Sequence, residues 1–212
     1  MLNIMEKDEI LKAYSEYVLE KNRRPESVYL FAKELNVDET AIYDHLSGFD
    51  EIEEEILNHF IQNAVDLTLN KEKEEELGPK ETLLTFYFTL VEVLKTNRSL
   101  VQFILPLERG ELMRFRSLKH GKRTFLKFVD SLQVEAPALS FIPNEQFRDK
   151  AIATGAWMQF CSIVLYWLKD ASKGFEKTDL FIEKSLRLSF DLTESRVMES
   201  FIDLGKFMFS KS

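Results

Sequence analysis

SVYLFAKELNVDETAIYDHL, residues 27 to 46, decides the fold. Val28, Phe31, Ala32 and Leu35 recur at helical spacing, and Ile42 with Leu46 does so again one short helix later. A helix-turn-helix needs a small residue where its helices touch, a turn residue that tolerates a left-handed backbone, and apolar anchors on both sides. Ala32 is the small contact. Asn36, four residues on, adopts positive φ at lower cost than most residues. Leu35, Val37 and Ile42 are the anchors, and Asp38 is the expected N-cap of the following helix. That helix is the one such a motif lays in a DNA major groove.

The same spacing runs outward in both directions. Upstream, Ile10, Tyr14, Tyr17 and Val18 form one stripe, closed by the polar KNRRPES segment at 21–27. Downstream, Ile52, Ile56 and Phe60, with Leu57, Ile61 and Val65 one residue over, define a longer fourth helix. Gly78 and Pro79 break the chain after the acidic run KEKEEELGPK. Further helices are predicted near 80–96, 98–107, 110–133, 144–173, 177–193 and 195–210, with the APALSFIPNE loop between the third and fourth of these. Strand-like alternation is sustained nowhere, and only 7 Gly and 5 Pro interrupt the pattern. The expected class is all-α. It comprises a three-helix helix-turn-helix domain over 1–50, a connecting helix over 50–72, and a larger helical bundle over 73–212, about nine or ten helices in all.

Charge is unevenly placed. The chain carries a net −8, but residues 1–70 hold 6 Lys and Arg against 16 Asp and Glu, and no Lys or Arg lies between Lys33 and Lys71. Single Cys161 excludes an internal disulfide, and the N-terminus lacks a signal pattern, so the expected location is the cytoplasm. Ala151 to Leu168 is free of charge over 18 residues, near the lower limit for a membrane span. Its Thr154, Gly155, Gln159 and Ser162, with Lys150 and Lys169 close on either side, favour a helix buried in a core or shared between subunits.

IL-x-AYSEYVLEK, SVYLFAKELNVDETAIYDHL and DEIEEEIL together resemble the N-terminal domain of TetR-family transcriptional regulators. The resemblance spans about residues 8 to 60 and is most specific from Ala32 to Leu46. WMQFCSIVLYWLKDASKGFEKTDLFIEKSLRL is similar to the last two core helices of that family's ligand-binding domain, which in many members build a dimeric four-helix bundle. The resemblance therefore implies a homodimer, probed at Tyr166, Trp167, Phe181 and Leu188, that binds double-stranded operator DNA and answers to a small effector. DNA contacts would fall on Lys21, Arg23, Arg24, Ser27, Lys33, Thr40, Ala41, Tyr43 and His45, with Lys7 and Lys12 at the edge.

The departures bear on DNA. Where the family often has Lys or Arg beside the helix N-cap stands Glu39, and where a Lys often opens the fourth helix stands Phe49. Asp38, Glu39, Asp50 and Glu51 place carboxylates at helix starts that ordinarily attract phosphate. DNA affinity rests largely on neutralised phosphates, so this surface should bind weakly and with a shallow salt dependence. Two readings stay open: a DNA-binding regulator, or a TetR-fold binding or scaffold protein without DNA affinity.

Beyond Pro79 the chain is rich in aromatic residues. Phe86, Phe103, Phe115, Phe125, Trp157 and Phe160, with Cys161, are candidates for lining a cavity that takes an apolar or amphipathic small molecule; filling the core is the alternative. The basic segment LERGELMRFRSLKHGKRTFLK is either a solvated helix face, an anion site, or a dock for the acidic N-terminal domain. The apolar end SRVMESFIDLGKFMFSKS reads as an extra helix on the dimer bundle in preference to a membrane-surface helix.

Chemistry for an enzyme is not evident. No Glu lies three residues before His45, His59 or His120, and no zinc pattern, phosphate-binding glycine loop or G-x-S-x-G elbow occurs. Glu55 and His59 share a helix face as a surface pair. No catalytic residue, cofactor or metal is expected.

Overall fold

A computed structural model describes residues 5–107, 117–140, 142 and 144–194. Nine α-helices and two short 3-10 turns, with no strand, make up these residues. They are α1 (Lys7–Lys21), α2 (Val28–Glu34), α3 (Thr40–Tyr43), α4 (Phe49–Glu75), α5 (Pro79–Thr96), α6 (Arg98–Ile104), α7 (Lys119–Ser131), α8 (Glu145–Lys169) and α9 (Glu176–Glu194). The all-α expectation holds. The predicted helix over 195–210 and the start of that over 110–133 lie outside the described residues.

Contacts group the chain into two units: residues 1–64 with 90–124, and 65–89 with 125–212. α4, α5 and α7 each contribute residues to both units.

In the first unit Ile10, Tyr14 and Val18 of α1, Phe31 and Ala32 of α2, Ile42, Leu46 and Ile52 are buried together. Rings organise this core. Tyr14 stacks on Phe49 at 5.5 Å between centroids and meets Phe31 edge-on at 6.0 Å. Phe49, the departure from the family's Lys, is thus an apolar cap on the ring cluster.

The turn that makes the helix-turn-helix is closed as its residues predict. Asn36 has φ +58°. The Val37 N–H donates to the Ala32 carbonyl at 3.0 Å and the Asn36 N–H to the Lys33 carbonyl at 3.2 Å, the paired bonds of a Schellman motif. Ser27 caps the other end of α2, its hydroxyl accepting from the Leu30 N–H. The cap of α3 differs from expectation: it falls at Glu39, in helical conformation and without a side-chain bond, and exposed Asp38 contributes its carbonyl to the Ala41 N–H. A side chain at Asp38 is unneeded because the chain enters this one-turn helix already helical.

In the second unit α8 buries Phe160, Cys161, Ile163, Val164, Trp167 and Leu168. By length and composition α8 alone among the described helices could cross a membrane; a third of its most apolar window is buried inside the protein. Its C-terminus is tied to α9 by Asp170, whose carboxylate accepts from the N–H and hydroxyl of both Ser172 and Thr178, at 2.7–2.9 Å. Burial alone would raise this carboxyl, but the Thr178 and Ser172 hydrogen bonds outweigh it and hold it at about 2, below its ordinary 3.8. A depressed folded-state pKa contributes stability above the unfolded value and loses it as pH falls through the folded one. Urea midpoints should therefore drop between about pH 4 and about pH 2, and Asp170→Asn should flatten that part of the profile.

Candidate functional site

Glu53 explains most of the electrostatics of the first unit. On α4 it occupies the centre of an apolar stripe, with Phe49, Ile52 and Ile56 at helical spacing, and it is 1% exposed. A carboxylate there must be paired and hydrogen-bonded. Tyr14 donates its hydroxyl to Glu53 Oε1 at 2.6 Å, and Arg24 donates Nε and Nη2 to the two carboxylate oxygens, at 2.8 and 2.5 Å. Arg24 Nη1 lies 2.8 Å from Asp50. Burial, then the neighbouring Glu53, pushes the Tyr14 hydroxyl far above its usual range, and the bond from Glu53 raises Arg24.

The expected DNA contacts divide accordingly. Arg24 is spent on Glu53 and Asp50, so its guanidinium is a structural bridge from the 21–27 turn to α4. Arg23 pairs with Glu26 at 3.0 Å on the surface. Lys7 pairs with Glu55 at 2.8 Å. Ser27 is occupied as a cap. Lys21, Lys33, Thr40, Tyr43 and His45 are exposed and Ala41 is half-buried. Exposed Asp38, Glu39 and Asp44 lie among them, together with Tyr29 and Leu30. The carboxylates at the start of α4 have local work: Glu51 accepts from the Ser47 hydroxyl and N–H, which lower its pKa, and Asp50 holds Arg24.

The basic segment is anchored on this unit through His120 and Thr124. His120 Nδ1 lies 2.6 Å from Glu55 Oε1 and its Nε2 3.4 Å from Glu54, while Thr124 donates to Asn58 at 2.6 Å. A Cβ at Gly121 would overlap Ile61 Cδ1, the end of that side chain, so glycine lets α7 approach α4 here without displacing Ile61. The partners of Glu55 are therefore Lys7 and His120, and not the His59 that shares its helix face. Burial would raise Glu55; Lys7 and His120 outweigh it and lower its pKa.

In the second unit the rings expected to line a cavity pack on one another. Phe125 and Phe160 lie 4.7 Å apart, Phe86 and Phe125 5.4 Å, and Trp157 stacks on Phe160 at 5.1 Å. Phe86, Phe125 and Phe160 are fully buried and Cys161 is buried, which makes them core. Half-buried Phe103 belongs to the first unit, and Phe115 lies outside the described residues. The Tyr87 hydroxyl, in the same core, is buried without a hydrogen-bond partner, and its pKa is raised by burial.

An apolar cavity of about 310 Å³ opens beside this core, between Leu83 of α5, Val129 of α7, Ile152, Ala156 and Gln159 of α8, and Phe190 of α9. The sequence reading passed over it because aliphatic and small residues carry less signal than rings. Of the expected interface residues, Trp167 is fully buried within its own chain, against Phe175. Tyr166 and Phe181 stack at 4.4 Å on the surface, and Leu188 is 59% exposed.

Residues 82–208 match the family model for the tetracycline repressor-like C-terminal domain. The match covers more than half of the chain, which therefore belongs to the TetR family of regulators. Among curated proteins none matches.

The ion-pair geometry has a direct test. Removing one partner of a buried pair leaves an uncompensated charge and costs about 3–5 kcal/mol, whereas an exposed pair contributes under about 1 kcal/mol. Arg24→Ala should therefore destabilise strongly in urea unfolding, and Arg23→Ala by less than about 0.5 kcal/mol.

Proposed function

We propose that this TetR-family regulator is a homodimeric, effector-responsive DNA-binding protein. The observation that carries the reading is the closed turn at Asn36, which supports α3 as a reading helix with Thr40 and Tyr43, and His45 just beyond it, exposed on the surface. Lys21 and Lys33 supply phosphate contacts at its edges. Dimerisation would use the exposed face of α8 and α9, where Met158, Tyr166, Phe181 and Leu188 leave apolar surface uncovered. The effector would enter the apolar cavity of the second unit and bind one separation of the two reading heads better than the other, while DNA prefers the alternative. The proposed location is the cytoplasm, and no catalytic step is assigned.

A second reading, a TetR-fold binding protein without DNA affinity, is favoured by the ion pairs that occupy Lys7, Arg23 and Arg24 and by the carboxylates around α3. Selection from genomic fragments at low salt separates the two. The regulator reading expects an enriched sequence whose log affinity falls with log salt at a slope of roughly −4 to −5, from two or three cations per head. It also expects Lys33→Ala to weaken all sequences alike. Absence of any enriched sequence would leave the second reading standing.

For the dimer, Leu188→Glu places a charge on the exposed apolar face without touching the core. Light scattering should then report a monomer, and circular dichroism an unchanged helicity. A dimer that persists would remove α9 from the interface.

A further inference from the structure

The cavity of the second unit combines three features. Its described lining carries no charged side chain. The cation placed near it, Lys80, lies over the Phe190 ring, 5.8 Å from the centroid. Second, the hydroxyls on its wall are committed as donors: Ser189 donates to the Ser185 carbonyl at 3.0 Å and Thr193 to the Phe190 carbonyl at 2.8 Å. Third, Gln159 Nε2 is buried with no hydrogen-bond partner among the described residues. An unmade bond at a buried amide is costly, so something must ordinarily repay it.

Gly155 adds an independent indication. It lies inside α8 on the cavity wall, and a Cβ there would meet no heavy atom within 4 Å. Neither close packing against the described residues nor a positive φ calls for glycine, which in a helix interior is less favourable than alanine. With Ala151 and Ala156 beside it, the helix gives up stability and leaves room.

We infer that this cavity takes an uncharged, mainly apolar molecule bearing one hydrogen-bond-accepting oxygen, of the ketone, ester or amide type, which receives the Gln159 amide N–H. The inference rests on the effector reading above and narrows its ligand class. A volume of about 310 Å³ matches roughly ten water molecules and sets the scale at a small ligand of comparable bulk. A carboxylate would lose its hydration here, and no described lining residue is a cation that could receive it.

Three probes of similar size test this on the full-length dimer or monomer as purified: butyrophenone, butylbenzene and 4-phenylbutyrate. Binding is read by calorimetry and by the Gln159 side-chain amide signals in a nitrogen-proton NMR spectrum. The ketone should bind about three- to tenfold more tightly than the hydrocarbon and shift the Gln159 signals, the carboxylate most weakly. Gln159→Leu, near in volume, should erase the ketone's advantage while hydrocarbon binding persists, and Gly155→Leu should reduce binding of both at unchanged oligomeric state. Equal affinity for ketone and hydrocarbon, tightest binding of the carboxylate, insensitivity to Gln159→Leu, or no binding of any probe would each overturn the inference. A charged molecule that binds the second unit and releases DNA would overturn it while leaving the effector reading intact, so the two fail separately.

Discussion

A single buried carboxylate organises the N-terminal unit. Glu53 lies on the apolar stripe of α4, where an unpaired charge would cost several kcal/mol, and two side chains from elsewhere in the chain converge on it with three hydrogen bonds. The Tyr14 hydroxyl fixes α1 against α4, and the Arg24 fork pins the turn that leads into α2. Because Arg24 has directional donors and no alternative charge state, the pairing specifies one angle of entry for the helix-turn-helix. Phe49 closes the same site with a ring that stacks on Tyr14.

This constraint reaches into function. A TetR-like reading head draws its affinity from cations at the edge of α2 and α3, and here the domain has few to begin with. One is held by Glu53 and Asp50, a second is paired to Glu55 and a third to Glu26. The acidity of the stretch around α3 and α4 is thus of two kinds. Glu51, Asp50, Glu53 and Glu55 are engaged in caps and bridges, whereas Asp38, Glu39 and Asp44 are exposed on the face that would meet DNA. Only the latter set bears on nucleic-acid affinity.

The same helix that receives Glu53's partners also receives α7. Gly121 against Ile61, His120 between Glu54 and Glu55, and Thr124 on Asn58 form a short seam along one side of α4. Glycine leaves Ile61 undisturbed at that seam, and the carboxylates meet it through His120. Part of the basic segment therefore meets acid of its own chain through His120.

Periodicity alone determined the helices, because an apolar stripe at 3.6-residue spacing is a local property. So did the turn: the left-handed backbone at Asn36 follows from the side chain's own tolerance and the anchors around it. The family resemblance, read from Ala32 to Leu46, agrees with the match found over residues 82–208. What tertiary structure decided is the fate of side chains whose partners are distant in sequence. Arg24 counted as a DNA contact until Glu53, 29 residues on, was seen to hold it. The in-stripe position of Glu53 was the one local signal that could have warned of this. Phe86, Phe125 and Phe160 read as a cavity wall, yet large rings attract one another and close the space between them. The opening fell instead to Ala156, Gly155 and Gln159, whose small size or single polar group becomes meaningful only once neighbouring helices are in place. Trp167 likewise turned inward on Phe175. A sequence states which surfaces a helix has; which surface faces another helix is settled by the packing of the whole.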